Sequence, residues 1–153
     1  MKRYFCIMIT VLLLLTILPV SSIAAEDRIN TEHIIYLEDG SYITVELTQL
    51  DSRASGTKRG SKTYTHRSSS GEENWRAVIS GTFTYTGSSA TCTAASCDVT
   101  ITDTVWYIVS KTASTSGNSA TAELTMGRKF LGITIDKETL NMRITCDANG
   151  NLS

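Results

Sequence analysis

The chain has 153 residues, 14 Lys or Arg against 15 Asp or Glu, a formal charge of −1 at pH 7, 41 % hydrophobic residues and four cysteines. That length carries one domain with a real core. The balanced charge gives no reason to expect nucleic acid or an anionic membrane surface as a general partner.

Met1, Lys2 and Arg3 precede an apolar run from Phe5 to Val20 that only Thr10, Thr16 and Pro19 interrupt. A charged start, an apolar centre, then Pro19 with the small residues Ser21, Ser22, Ala24 and Ala25 have the form of a secretory signal peptide over residues 1–25. The mature chain is then expected to start at Ala25 or Glu26. A retained membrane anchor is the alternative, because the run is nearly long enough to span a bilayer. Cys6 precedes the run instead of following it, which argues against a lipoprotein. Removal of Lys2 and Arg3 leaves 12 basic residues against 15 acidic ones, a formal charge near −3. The expected product is secreted, without stable membrane insertion, and keeps Cys92, Cys97 and Cys146 in a compartment that permits disulfides.

Residues 26–50 form an acidic arm, in which Ile34–Leu37 and Tyr42–Leu47 flank Glu38-Asp39-Gly40-Ser41, and Asp-Gly at that place predicts a β-hairpin. Residues 51–60, DSRASGTKRG, have no periodicity and read as a flexible linker before a main domain at 61–153. There, Lys62–Arg67 is expected to pair with the stretch Asn74–Thr86. That stretch sets Trp75, Ala77, Ile79, Gly81, Phe83 and Tyr85 on one face against Arg76, Ser80, Thr82, Thr84 and Thr86 on the other, with Val78 the exception. Gly81 suggests a bend or bulge where the chain passes from one part of a sheet to another.

Further strands are predicted at Ala90–Thr93, Cys97–Ile101 and Val105–Ser110, and then in the alternating runs 120–126, 131–135 and 140–146. No stretch has a 3.6-residue apolar period, and turn signals recur every 8 to 12 residues. The fold class is therefore all-β: an antiparallel β-sandwich, with an immunoglobulin-like arrangement as one version of it and a small closed β-barrel as the alternative.

The search for chemistry is largely negative. His33 and His66 lie far apart with no metal-ligand spacing, so both read as satisfied strand or surface histidines, and no metal or other cofactor is expected. GSSAT from Gly87 is not a nucleophile elbow, and the carboxylates Glu72, Glu73, Asp98 and Asp103 read as turn or loop groups, so no enzyme is expected. The candidate ligand contacts are Arg59, Lys62, Tyr64 and Arg67, from a basic segment without acids, and Trp106 from the aromatic pair Trp106-Tyr107. Each has a plainer reading: a solvated loop complementing the acidic arm, and a central strand buried on both faces. By strand parity Cys92 and Cys146 both face inward, but Cys97 is in step with Val99 and Ile101, and a Cys92–Cys97 hairpin bridge stays open. On a chain-entropy argument, closing about 55 residues stabilises by roughly 4 kcal/mol and closing about six by roughly 2.

GSKTYT from Gly60, the frame W-x-A-x-x-x-G-x-F-x-Y-x-G from Trp75 to Gly87 with SSATCT behind it, SKTASTSGNSATA from Ser110 and the terminal TCDANGNLS resemble a family of small secreted proteins. Its members come from Gram-positive, clostridia-like bacteria and have no assigned function. The resemblance covers about Gly60 to Ser153 and brings no active site to transfer. It implies an extracellular bacterial protein in which cysteines at the positions of Cys92 and Cys146 recur and Cys97 varies, which selects the Cys92–Cys146 disulfide. The functional expectation is a secreted, non-catalytic binding module for an extracellular partner: a cell-wall polymer, a glycan or a protein. A secreted antibacterial or toxin-like effector is the alternative.

Overall fold

The computed structural model describes residues 28–50 and 56–153. The expected signal peptide with its cleavage site, and residues 51–55 of the expected linker, lie outside the described residues. Among the described residues eight strands follow one another: β1 (Arg28–Tyr36), β2 (Tyr42–Leu50), β3 (Thr57–Arg67), β4 (Glu73–Tyr85), β5 (Ala90–Ile101), β6 (Trp106–Ser116), β7 (Ser119–Phe130) and β8 (Ile133–Thr145). They make two antiparallel sheets, β1-β2-β3-β4-β5 and β6-β7-β8. The all-β expectation holds at this level, and no closed barrel forms. Neighbours in space are neighbours in sequence throughout each sheet. An immunoglobulin-like arrangement needs a Greek-key return, which this meander lacks.

Alternation in β4 explains how the sheets meet. Trp75, Ala77, Ile79 and Phe83 are fully buried while Arg76 and Thr84 are exposed, as the two-residue period requires. They share one core with Ile43 and Leu47 of β2, Tyr64 of β3, and Leu124, Met126, Met142 and Ile144 of the smaller sheet. Gly81 does not mark a change of sheet, for β4 runs straight through it to Tyr85. A Cβ there would lie 2.5 Å from the Phe83 ring and 3.1 Å from the Ala120 side chain, so the missing side chain makes room for both. The bulge sits on the neighbouring strand: Thr82 pairs with Ala94 and Phe83 with Cys92, leaving Thr93 extra on β5.

Other boundaries differ from the sequence reading. The arm's hairpin forms, with Leu37 N–H donating to the Ser41 carbonyl at 2.9 Å, but β2 pairs with β3 along its whole length and so continues the large sheet. The expected linker supplies Thr57 to Gly60 to β3. Ala90–Thr93 and Cys97–Ile101 are one strand, because Ala94, Ala95 and Ser96 between them pair with Thr82, Gly81 and Ser80 of β4. Trp106 and Tyr107 do not lie on a central strand: β6 is an edge strand of the smaller sheet, and after the buried Trp106 its side chains are half-buried or exposed. Leu131, Ile133 and Ile135 are not core. They lie in and after the turn that joins β7 to β8, and are 87, 69 and 54 % exposed.

Candidate functional site

The turns at 37–41, 68–72, 102–105 and 131–132 gather at one end of the meander, since alternate connections of an up-and-down sheet fall on the same side. Near this end β3 delivers His66, β4 begins with Asn74 and Trp75, β6 begins with Trp106, β8 contributes Glu138, and the β1–β2 turn adds Asp39 and Ser41. His66 is only 2 % exposed. Its ring stacks on Trp75 at 5.1 Å and leans on Trp106 at 5.0 Å. The Asn74 amide, with Nδ2 3.0 Å from His66 Nδ1, donates to that nitrogen. A ring accepting at Nδ1 carries its proton on Nε2. Nε2 faces Glu138 Oε2 at 3.6 Å, an electrostatic contact too long for a good direct hydrogen bond.

Burial governs the charge of this pair. It holds the His66 imidazole below its ordinary value; the Asp39 charge pulls the other way and Arg128 adds to the lowering. Burial pushes the Glu138 carboxyl up to about 7, with the nearby Asp136 and Asp39 charges helping. A proton therefore settles on Glu138 before it settles on His66. Asp39 behaves oppositely: hydrogen bonds from the Ser41 hydroxyl and Ser41 N–H hold its carboxyl low.

A cleft of about 360 Å³ opens over this floor, rimmed by Asp39, Ser41, Asn74, Asp103 and Arg128, and a second of about 300 Å³, which shares Asp39, Ser41, His66 and Trp106 with it, reaches Glu138. The Arg128 guanidinium stands 5.9 Å over the Trp106 ring. The arrangement offers hydrogen-bond donors and acceptors at fixed places over an aromatic floor, with one carboxyl that exchanges a proton near neutrality. Among the described residues no group of three or more His, Cys, Asp or Glu is placed to hold a metal ion.

The Glu138 shift has a measurable consequence. Its folded value lies above the unfolded 4.5, so between pH 4.5 and about 7 the folded chain holds this proton more tightly and Glu138's contribution to stability falls as pH rises. The full difference is on the order of 3 kcal/mol, at about 1.4 per unit. His66, held low, acts in the opposite sense, costing stability as pH falls through 6.5. The effect therefore shows in a comparison. Glu138→Gln is expected to match the wild type near pH 4.5 in urea unfolding and to exceed it by about 2–3 kcal/mol at pH 8. A constant difference across that range would contradict the assignment.

Of the residues expected to contact a ligand, only Trp106 lies in this site, and it is buried. Alternation along β3 separates the others. Lys62 and Tyr64 face inward and line an apolar groove of about 700 Å³ with Leu47, Leu140 and Leu152. Burial lowers the Lys62 pKa, and the Arg143 amide hydrogen-bonds the Tyr64 phenol. Arg59 is exposed on the other face, while Arg67 donates to the Gly71 carbonyl at 3.1 Å and lies 3.8 Å from Glu73. The basic run is thus no single patch. Sequence reading missed His66, Asn74, Asp39 and Glu138. Extending the inward parity of Lys62 and Tyr64 by two residues would have found His66, whereas nothing local marks Glu138.

Cys92 and Cys146 lie at the opposite end. Their N–H groups donate to the carbonyls of Gly117 and Asn118, at 2.8 and 3.0 Å, within one turn. The expected bridge is not formed: Cys92, Cys97 and Cys146 are all buried thiols, and burial raises each above its ordinary pKa, which makes the reactive thiolate scarce. The rival Cys92–Cys97 pair fails on geometry. Five residues of one strand hold the two roughly 15 Å apart, beyond disulfide reach. Compared with known proteins, the chain matches no family, no curated protein and no solved structure.

Proposed function

We propose that this two-sheet frame, read as a β-sandwich, is a secreted, non-catalytic binding module of a Gram-positive bacterium, and that its partner is a glycan or cell-wall polymer held in the His66–Trp106 cleft. The cleft itself carries this reading. Acceptors from Asp39 and Asp103, donors from Arg128 and Asn74 and the hydroxyl of Ser41 surround an aromatic floor, a lining that suits a polyhydroxylated ligand. Strand ends hold Asn74, Trp106 and Arg128, so little ordering is needed on binding. The resemblance of Gly60 to Ser153 to small secreted proteins and the signal-like start agree with export. Oxidation after export is then read as joining Cys92 to Cys146.

The test is a pull-down of the purified mature protein, its N terminus sequenced to check for Ala25 or Glu26, against cell walls, soluble glycans and mucus components. Retention on one of these that Asp103→Ala weakens about tenfold or more, with an unchanged circular dichroism spectrum, is the expected result. Retention on none, or equal retention of the variant, counts against the reading. The effector alternative draws on one feature, the exposed apolar tip between β7 and β8, and a transporter or immunity protein encoded next door would favour it.

A further inference from the structure

From Arg128 to Lys137 every residue is exposed, although both strands of this hairpin bury alternate side chains lower down. β6 pairs with β7 only as far as the Trp106–Arg128 rung. Past it Lys129 N–H still donates to the Val105 carbonyl at 2.8 Å, and beyond that bond the rung Phe130–Ile133 and the turn Leu131-Gly132 run free, about 7 Å of hairpin at some 3.4 Å per residue. Phe130, Leu131, Ile133 and Ile135 are 64, 87, 69 and 54 % exposed there. Four bulky apolar side chains on one projecting finger are more than the scattered apolar residues of an ordinary surface.

Two further observations say what covers them. Leu131 and Gly132 both have positive φ, 49° and 82°, the two-residue hairpin turn that Asn-Gly fills without strain. Leucine is a poor choice for that conformation, so its presence at the apex works against the turn and puts an apolar group foremost. Behind the apolar apex stands a cationic collar, Arg128, Lys129 and Lys137, against one acid, Asp136, within the exposed stretch. The overall charge of −1 conceals this local excess. Lys129 Nζ lies 4.4 Å over the Tyr107 ring, and the Tyr107 hydroxyl meets Thr134 Oγ1 at 2.7 Å, so the base of the finger is braced.

We infer that the β7–β8 tip is a membrane-docking finger that inserts Phe130, Leu131 and Ile133 into the interface of a bilayer containing anionic lipid. An apolar apex about 7 Å long matches the depth to which interfacial elements sink, about 5–10 Å, and the collar then lies at the level of the phosphates. A second copy of this chain fits less well, because tip-to-tip contact would bring two cationic collars together. Glu38 and Asp39 flank the cleft below, beside Asp136 and Lys137, so the apolar contact supplies most of the affinity and salt weakens it only in part.

The test uses flotation with vesicles of equal parts phosphatidylglycerol and phosphatidylcholine, and with phosphatidylcholine alone. Wild type and variants carry the same N terminus, so the apolar run before Val20, where present, contributes equally. Leu131→Asn suits the positive φ and is expected to leave the thermal midpoint unchanged or raised while weakening binding to the mixed vesicles about tenfold or more. In Leu131→Trp the added indole is expected to shift to the blue and to be quenched by brominated lipid. Failure of the wild type to bind the mixed vesicles, equal binding by Leu131→Asn, or no quenching of the added indole would each overturn the inference. Self-association in the ultracentrifuge that Leu131→Asn abolishes, without vesicle binding, would assign the tip to a second copy and overturn it too. None of these outcomes depends on a ligand in the His66 cleft.

Discussion

Phe83→Asp is expected to leave no folded protein, while Thr84→Asp, one residue on, is expected to change stability by less than about 1 kcal/mol. Phe83 is fully buried between the sheets, with its ring in the space that Gly81 leaves open and Ala120 of β7 close by. The substitution forfeits roughly 2–3 kcal/mol of aromatic burial and places an unpaired carboxylate at the same spot, at a further cost of several kcal/mol. Domains of this size have about 5–15 kcal/mol in all, so the sum is comparable to the whole of it. Thr84 points to solvent from the same strand. Circular dichroism and urea unfolding of both variants give the comparison, and similar behaviour of the two would mean that β4 buries its other face.

Oxidation is expected to join Cys92 to Cys146 and to raise stability by roughly 4 kcal/mol, the chain-entropy value for a loop of about 55 residues. Both cysteines bond one turn through their N–H groups, and they are close enough that a thiolate at Cys92 would push the Cys146 thiol further up. The raised pKa values make the reaction slow at neutral pH and faster at alkaline pH. Non-reducing proteolysis with mass spectrometry should find a peptide linking Cys92 to Cys146, with Cys97 free beside its strand partner Ile79. Urea unfolding with and without reductant then gives the size of the effect. A Cys97-containing bridge within the monomer, or equal stability of the oxidised and reduced forms, would refute the assignment.

Fold and candidate site were legible to different degrees. The inward face of β4 was readable because alternation is a local property: Trp75, Ile79 and Phe83 need only a two-residue period to be placed on one side. The β1–β2 hairpin was readable from Asp39-Gly40 for the same reason. The continuity of β5 and β8 was harder, since polar residues such as Ser96, or Asp136 to Thr139, resemble turns until a neighbouring strand is seen to pair with them. Leu131, Ile133 and Ile135 misled most. Their alternation is that of a buried strand, and only the position of the turn shows that they project beyond the core.

For the site, strand periodicity by itself determined that Trp106, Tyr64 and His66 belong to β-structure, whereas Arg59 fell in the expected linker and only its pairing in β3 gives it a face. What only the tertiary structure decided is which parts of the strands meet. His66 and Glu138 are 72 residues apart in the chain, and they come within 3.6 Å because the end of β3 meets the middle of β8 across the two sheets. The raised carboxyl follows from that encounter, because burial in a shared, partly dry space sets the charge of a side chain, and the residue's immediate neighbours in sequence do not determine that space.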